Sequence, residues 1–312
     1  MTLLYSGQCF LRHLTGAHPE NPERLAGIDE RLRTGGLQVA CTQPVWGAIS
    51  RQRLLRVHAP LYVDWVRSFS EMGGGALEPD TVAGRESYEV ALLAAGAVCD
   101  ATERVLAGPQ RQALCLVRPP GHHALVQEAM GFCIFNNVAI AAKMATDELG
   151  LDRVLIVDWD IHHGNGTQAT FWEDPRVGFL SIHRWPFYPG TGAADECGGG
   201  DALGTTVNLP TAYGTPRRQI LGSFSAALES LAAKIRPQLV LISAGFDAHR
   251  LDPIGDLGLE TEDFATMTEL VLGAAQAYAG GRVVSVLEGG YNPPVLADCI
   301  EAHLATMLKQ AL

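Results

Sequence analysis

Positive charge is scarce in this 312-residue chain: 23 Lys and Arg stand against 34 Asp and Glu, a formal net charge of −11. That balance argues against a broad phosphate-binding surface, and so against nucleic acid as a direct partner. An acidic surface does attract a cationic substrate. Long apolar runs are missing as well. No stretch of 18 apolar residues occurs, so no membrane-spanning helix is expected. The opening MTLLYSGQCFLRHL lacks the basic-then-apolar layout of a secretory signal. CxxC pairs are absent too: the seven cysteines, at 9, 41, 99, 115, 133, 197 and 299, are odd in number and scattered. Buried free thiols in a reducing compartment fit that pattern better than a disulfide framework or a zinc finger. There is no internal repeat, no low-complexity tract and no linker long enough to divide the chain. The expectation is one cytoplasmic domain over residues 1–312 with no membrane association.

What the chain does have is a hydrophobic fraction of 47% with 18% charged residues, enough for a sizeable core. Short apolar runs at Leu114–Val117, Val154–Val157, Val177–Ile182, Leu239–Ser243 and Val283–Leu287 read as strands, with a short one at Leu3–Tyr5. Helices are expected at Pro22–Arg33, Pro60–Met72, Ser87–Leu106, Asn137–Leu149, Arg217–Arg236, Thr261–Ala279 and Val295–Leu312. Gly73–Gly75 and the LEPDTVAG that follows read as a flexible loop. Strands alternating with helices indicate an α/β fold: a parallel sheet with helices on both faces.

The densest chemistry lies in Val154–Gln168, VLIVDWDIHHGNGTQ. Four apolar residues form a buried strand, after which Asp158, Asp160 and His162 alternate with Trp159 and Ile161. A continued pleat places all three polar side chains on one face. Two carboxylates and an imidazole leaving a buried strand end on one side are a metal-ligand set. The bland alternative, a capping Asp beside hydrogen-bonded core histidines, has to explain why His163, Gly164 and Gly166 crowd the same point. A catalytic zinc takes about three protein ligands and keeps one position open. Asp160, His162 and Asp247, the last just past the strand Leu239–Ser243, meet that need. The set is oxygen-rich, so Fe2+, Mn2+ or Co2+ are alternatives to Zn2+. Asp158 then reads as a supporting or neighbouring-cation ligand.

In an open α/β sheet, ligands bind beyond the carboxyl ends of the strands. Reactive residues follow each run there: RPPGHHA (Arg118–Ala124), His183 with YPGTG (Tyr188–Gly192), AGFDAHRLDP (Ala244–Pro253) and EGGYN (Glu288–Asn292). His122 and His123, stiffened by Pro119, Pro120 and Gly121, have the chemistry of a base and of a proton donor to a leaving amine. Asp158 and Asn165 are the expected partners of their Nδ1 atoms; a carboxylate holds one ring more positive, and an amide leaves the other nearer neutral. The Tyr291 phenol is placed to donate to an oxyanion. Phe132 and Tyr188, beside glycines, are candidates for the walls of a narrow apolar channel, although lone aromatics are ordinarily core.

Taken together, RPPGHHA, GFCIFNNVAIAA, VDWDIHHGNGTQ, SIHRW, SAGFDAHRLDP and LEGGYN, with HLTGAHPENPERL near the start, resemble the zinc-dependent histone deacetylase superfamily. That superfamily includes bacterial deacetylases and acetylpolyamine amidohydrolases. Asn165, where some members carry Asp, is similar to the class II branch. The resemblance implies the arginase/deacetylase fold, a three-layer α/β/α sandwich around a mainly parallel eight-stranded sheet. It implies that Asp160, His162 and Asp247 hold zinc, that His123 is the general base and acid with His122 its electrostatic partner, and that Tyr291 polarises the substrate carbonyl. It further implies a structural potassium at Asp158, Ser181 and the carbonyls of Asp160, His162 and Ile182. A more distant cation site would involve Phe171 and Val177. Gly131, Phe132, Tyr188 and Ile254 match the walls of an acyl-lysine channel.

The activity implied is hydrolysis of an acyl-lysine peptide or a similar N-acyl amine by metal-activated water, usually releasing acetate. In the polyamine-selective branch a glutamate lies seven residues beyond the metal-binding Asp; here Ile254 stands there. That favours acyl-lysine over acetylpolyamine, although Glu20, Asp80 and Asp256 are available to receive an ammonium. Two rivals differ in class. An arginase-like ureohydrolase needs a second carboxylate cluster for a second ion, which GFDAHRLDP does not offer. A non-catalytic acyl-ligand binding module has no use for the complete ligand, tandem-histidine and tyrosine set. The sequence carries no indication of oligomeric state.

Overall fold

The computed structural model describes residues 2–310. In chain order the elements are β1 (Leu3–Tyr5), α1 (Glu23–Thr34), α2 (Arg51–Leu54), α3 (Pro60–Glu71), β2 (Gly74–Glu78), β3 (Thr81–Gly84) and α4 (Ser87–Ala107). There follow β4 (Gln112–Cys115), α5 (Asn137–Asp147), β5 (Val154–Asp158), α6 (Asn165–Phe171), β6 (Val177–Arg184) and β7 (Thr206–Thr211). The chain closes with α7 (Arg217–Ile235), β8 (Leu239–Ala244), α8 (Thr261–Tyr278), β9 (Val283–Leu287) and α9 (Pro293–Gln310). The last two residues of the helix expected to end at Leu312 lie outside the described residues.

Seven strands form one sheet in the order β1-β4-β9-β8-β5-β6-β7, every pairing parallel. Strands β4, β5, β8 and β9 are buried along their whole length, which is why they read as unbroken apolar runs rather than alternating ones. Helices α1, α9, α8 and α7 pack in succession, and α3, α4, α5 and α6 form a second row; with the sheet they make three layers.

The expected eight strands are seven among the described residues. At the β1 edge, Thr42 makes a single parallel bridge with Leu3. Its amide donates to the Thr2 carbonyl at 3.0 Å and its carbonyl accepts from Leu4 at 2.8 Å. Pro44, two residues on, has no N–H to extend that pairing. The edge strand β7 was not evident in the sequence because Pro210 interrupts it, and a proline is tolerated only where one side of the strand is unpaired. The loop expected after Gly73 is instead an antiparallel hairpin, β2 with β3. Gly74 (φ +78°) makes it possible: a Cβ there would lie 2.0 Å from the Ala83 carbonyl oxygen. All seven cysteines are unpaired.

Candidate active site

Because the strands are parallel, their carboxyl ends open on one rim, and the central neighbours β4, β9, β8 and β5 deliver their following residues to one place. From β5 come Asp160 and His162, and from the turn after β8 comes Asp247. Their ligand-type atoms all lie within 4.8 Å of one another. His162 Nδ1 is 2.9 Å from Asp160 Oδ1 and 3.2 Å from Asp247 Oδ2. The remaining oxygens are engaged: Asp160 Oδ2 accepts from the Gly289 amide (2.8 Å) and Asp247 Oδ1 from the Ile161 amide (3.0 Å). Gly289 and Gly245 are required here, since a Cβ at either would stand 2.1 Å from a carboxylate oxygen of Asp247 or Asp160.

Asp247 Oδ2 is buried and has no polar contact except His162 Nδ1 at 3.2 Å. A bare, desolvated carboxylate oxygen is costly unless a cation meets it. Burial, with Asp160 adding to it, pushes Asp247 up to about 7. Burial opposes charge on His162, but its bonds to Asp160 and Asp247 outweigh that and raise the ring to about 9. Two carboxylates that need a positive charge between them, and an imidazole drawn to supply one, are the donor set of a divalent ion. The residues fit such an ion.

The tandem histidines follow β4. His122 Nδ1 donates to Asp158 Oδ2 at 3.0 Å, and His123 Nδ1 donates to Asn165 Oδ1 at 2.7 Å. The Asn165 amide is oriented by its NH2, which points at Met130 Sδ (3.2 Å). The two rings lie 4.0 Å apart. Burial works against charge on both, yet Asp158 and then Asp160 raise His122 to about 10. His123 has only an amide partner; burial, then His122 and His162, holds it well below the usual histidine range. One ring therefore has a carboxylate partner and the other an amide, and their tendencies to carry a proton diverge.

Above them is a cavity of about 260 Å3 lined by Asp80, His123, Gly131, Phe132, His162, Phe187, Tyr188, Ile254 and Tyr291. The four expected channel residues all line it. Tyr291 packs edge-on to Phe132 (5.5 Å) with the Arg24 guanidinium 4.8 Å from its ring centre. Burial, reinforced by Asp247 and opposed by Arg24, keeps its phenol protonated.

A match to the histone deacetylase domain extends over residues 18–307. The chain belongs to the histone deacetylase family. It is 39% identical to an uncharacterized protein of Synechocystis over 99% of both chains. It is 38% identical to the histone deacetylase-like amidohydrolase of Pseudomonas aeruginosa over 90% of this chain and 74% of that one. The human polyamine deacetylase HDAC10 is 42% identical over 93% of this chain, which spans only 44% of that protein. The crystal structure of the HDA15 HD domain superposes with a TM-score of 0.92 at 37% identity, over 99% of this chain and 91% of that one. The three-layer architecture is thus that of a histone deacetylase domain, and the chain is a hydrolase of the deacetylase type. The family is generally metal-dependent, in keeping with the Asp160, His162 and Asp247 group.

Beside this deacetylase site, Asp158 and Ser181 face each other across β5 and β6, and Ile182 follows on β6. Gly164 leaves room for Asp158, whose Oδ2 would be 2.2 Å from a Cβ there. Phe171 and Val177 bracket one turn through Asp174. A second group, His122, Cys133 and Glu288, also converges. Its atoms are already engaged, because Glu288 Oε2 accepts the Gly121 (2.7 Å) and His122 (3.2 Å) amides.

Three features escaped the sequence reading. Phe187 stacks on the His162 ring at 5.2 Å. Asp80 and Thr81, at the turn of the β2–β3 hairpin, accept the Gly131 (3.2 Å) and Phe132 (3.1 Å) amides and so set one cavity wall. Buried Glu20 pairs with Arg24 and Arg118, tying HPENPER to the histidine turn. The first had a signal in WPFYPG. Of the acidic residues expected to be available to an ammonium, Asp80 lines the cavity, whereas Asp256 does not and Glu20 is fully buried against two arginines.

Proposed function

We propose that the chain is a single-domain, zinc-dependent deacetylase that hydrolyses the amide of an acyl-lysine or a similar N-acyl amine, giving the free amine and a carboxylate, usually acetate. The observation that carries the reading is one cavity whose lining brings together the Tyr291 phenol, the His123 imidazole and His162, the last paired with Asp160 and Asp247. A divalent ion held by Asp160, His162 and Asp247 would supply Lewis acidity to the amide carbonyl and to water.

The chain's own residues do the rest. Tyr291 donates its O–H to the carbonyl oxygen and to the oxyanion that develops from it. His123 donates Nδ1–H to Asn165, so its Nε2 lone pair is free to take the proton of the attacking water. His122, kept charged by Asp158, stabilises the negative charge that builds up beside it. The proton then passes from a histidine to the leaving nitrogen. Phe132, Phe187, Tyr188 and Ile254 hold the alkyl linker and exclude water. In the same reading Asp158, Ser181 and the Asp160, His162 and Ile182 carbonyls would hold a potassium ion, and the enzyme works in the cytoplasm.

Apolar Ile254 in the lining supports acyl-lysine as the substrate. Asp80 in the same lining supports a second reading, an acetylpolyamine whose ammonium it would receive. Turnover of acetyl-lysine peptides, acetylputrescine and acetylspermidine, measured before and after chelation and zinc return, tests both. No turnover of any of them by the zinc-loaded chain defeats the proposal.

A further inference from the structure

Between the metal-type Asp247 and the cavity residue Ile254 lies a carboxylate that the reaction scheme leaves unused. Asp252 is buried, at 8% exposure. Its Oδ1 accepts the backbone amides of Ile254 (2.9 Å) and Gly255 (3.0 Å). Its Oδ2 accepts the backbone amide of Tyr291 at 2.6 Å. One side chain thereby joins the turn after β8, which supplies a cavity wall, to the turn after β9, which supplies the phenol. Amide bonds to an ionised acceptor are short and about twice as strong as neutral ones.

The turn it grips is held through its backbone: the Gly289 amide donates to Asp160 Oδ2 and the Gly289 carbonyl accepts from the Phe246 amide. Gly289 and Gly290 (φ +122°) precede Tyr291 and contribute no side chain. Arg24 holds the carbonyls of Glu288 and Gly290 from one side. Asp252 holds the following amide from the other, next to the residue whose hydroxyl must meet the substrate oxygen. Asn292 also ties the two turns, through Leu251, but further out and exposed.

Resting on the deacetylase reading, we propose that Asp252 is a positioning residue: it sets the Tyr291 phenol relative to the Ile254 wall, so that carbonyl polarisation depends on how the channel wall is seated. A misplacement of about 1 Å in such a donor costs up to about 100-fold in rate.

Asp252→Asn is the discriminating variant. The amide fills the same volume, but in either orientation its NH2 faces one of the donors the carboxylate accepted. Asp252→Ala, Tyr291→Phe and the doubles complete the set, each measured with an acetyl-lysine peptide, with bound metal and melting temperature as controls. Asp252→Asn is expected to keep its metal and its KM within about threefold and to lose about 10- to 100-fold in kcat. Added to Tyr291→Phe it should cost almost nothing more, because a group acting only through the phenol has no effect once the phenol is gone. Wild-type turnover tests the deacetylase reading; the clamp is judged by the ratios between variants. Wild-type kcat in Asp252→Asn, or losses that multiply in the double variant, would overturn it.

Discussion

Replacing Tyr291 by phenylalanine removes one O–H and little else. The contacts that hold the ring are its edge-on packing with Phe132 at 5.5 Å and the Arg24 guanidinium 4.8 Å from its centre, and a phenylalanine ring keeps both. The phenol stays protonated because burial, with Asp247 adding to it, opposes the negative form. On the proposed reading, what disappears is one donor to the developing oxyanion, from a residue lining the cavity of about 260 Å3. Removing such a donor costs about 3–4 kcal/mol of barrier, a factor of about 10²–10³ in kcat. The assay is steady-state turnover of an acetyl-lysine peptide, with metal content by elemental analysis and thermal unfolding as controls. Tyr291→Phe should hold one equivalent of metal and melt within about 4 °C of the parent. A variant with full kcat would refute the phenol's role; one that loses its metal would show that the ring, not the hydroxyl, was being tested.

Asn165→Asp gives His123 a carboxylate in place of its 2.7 Å amide partner, so the acid limb of kcat/KM should move up by about one pH unit or more; an unchanged limb would mean that His123 is not the base. Gly131→Ala should lose at least about tenfold in activity, since the new Cβ would fall 2.2 Å from His123 Cδ2 at a residue with φ +56°; a parent-like rate would show that this wall yields. Ile254→Glu, in the cavity lining, should raise the acetylspermidine to acetyl-lysine ratio of kcat/KM by about tenfold, the effect of one carboxylate near an ammonium. Stability should fall as the solution is acidified. Burial lowers His58 to about 4 and His183 and His303 to about 3, so below about pH 6.5 the unfolded chain binds protons that the folded one refuses. Urea midpoints that stay flat between pH 7 and 4.5 would contradict this.

Much of the fold was legible because parallel strands buried on both faces write themselves as apolar runs. Val154–Val157 and Val283–Leu287 were found with bounds correct to a residue, and so was Leu3–Tyr5. The site was legible for a related reason: in such a sheet the residue after each strand end must face the rim, so DWDIHH, GFDAH and GGYN announced their own location. Elements whose formation depends on partners far away in the chain were not legible. Strand β7 exists only because β6 offers it an edge, despite Pro210. The hairpin of Gly74–Gly84 closes because two glycine-permitted backbones approach each other. The eighth strand implied by the resemblance is not among the described residues, and beside β1 Thr42 makes one bridge.

The sequence alone determined the order of the buried central strands along the chain, the donor types at their ends and, with them, the class of chemistry. Distances belonged to the fold. Only tertiary structure set Asp247 Oδ2 beside His162 without another partner and joined Tyr291 to Ile254 through Asp252. A residue's identity fixes which proton or charge it can carry. Whether it carries it at neutral pH depends on which groups, many of them far away in the chain, are packed against it after water has been excluded.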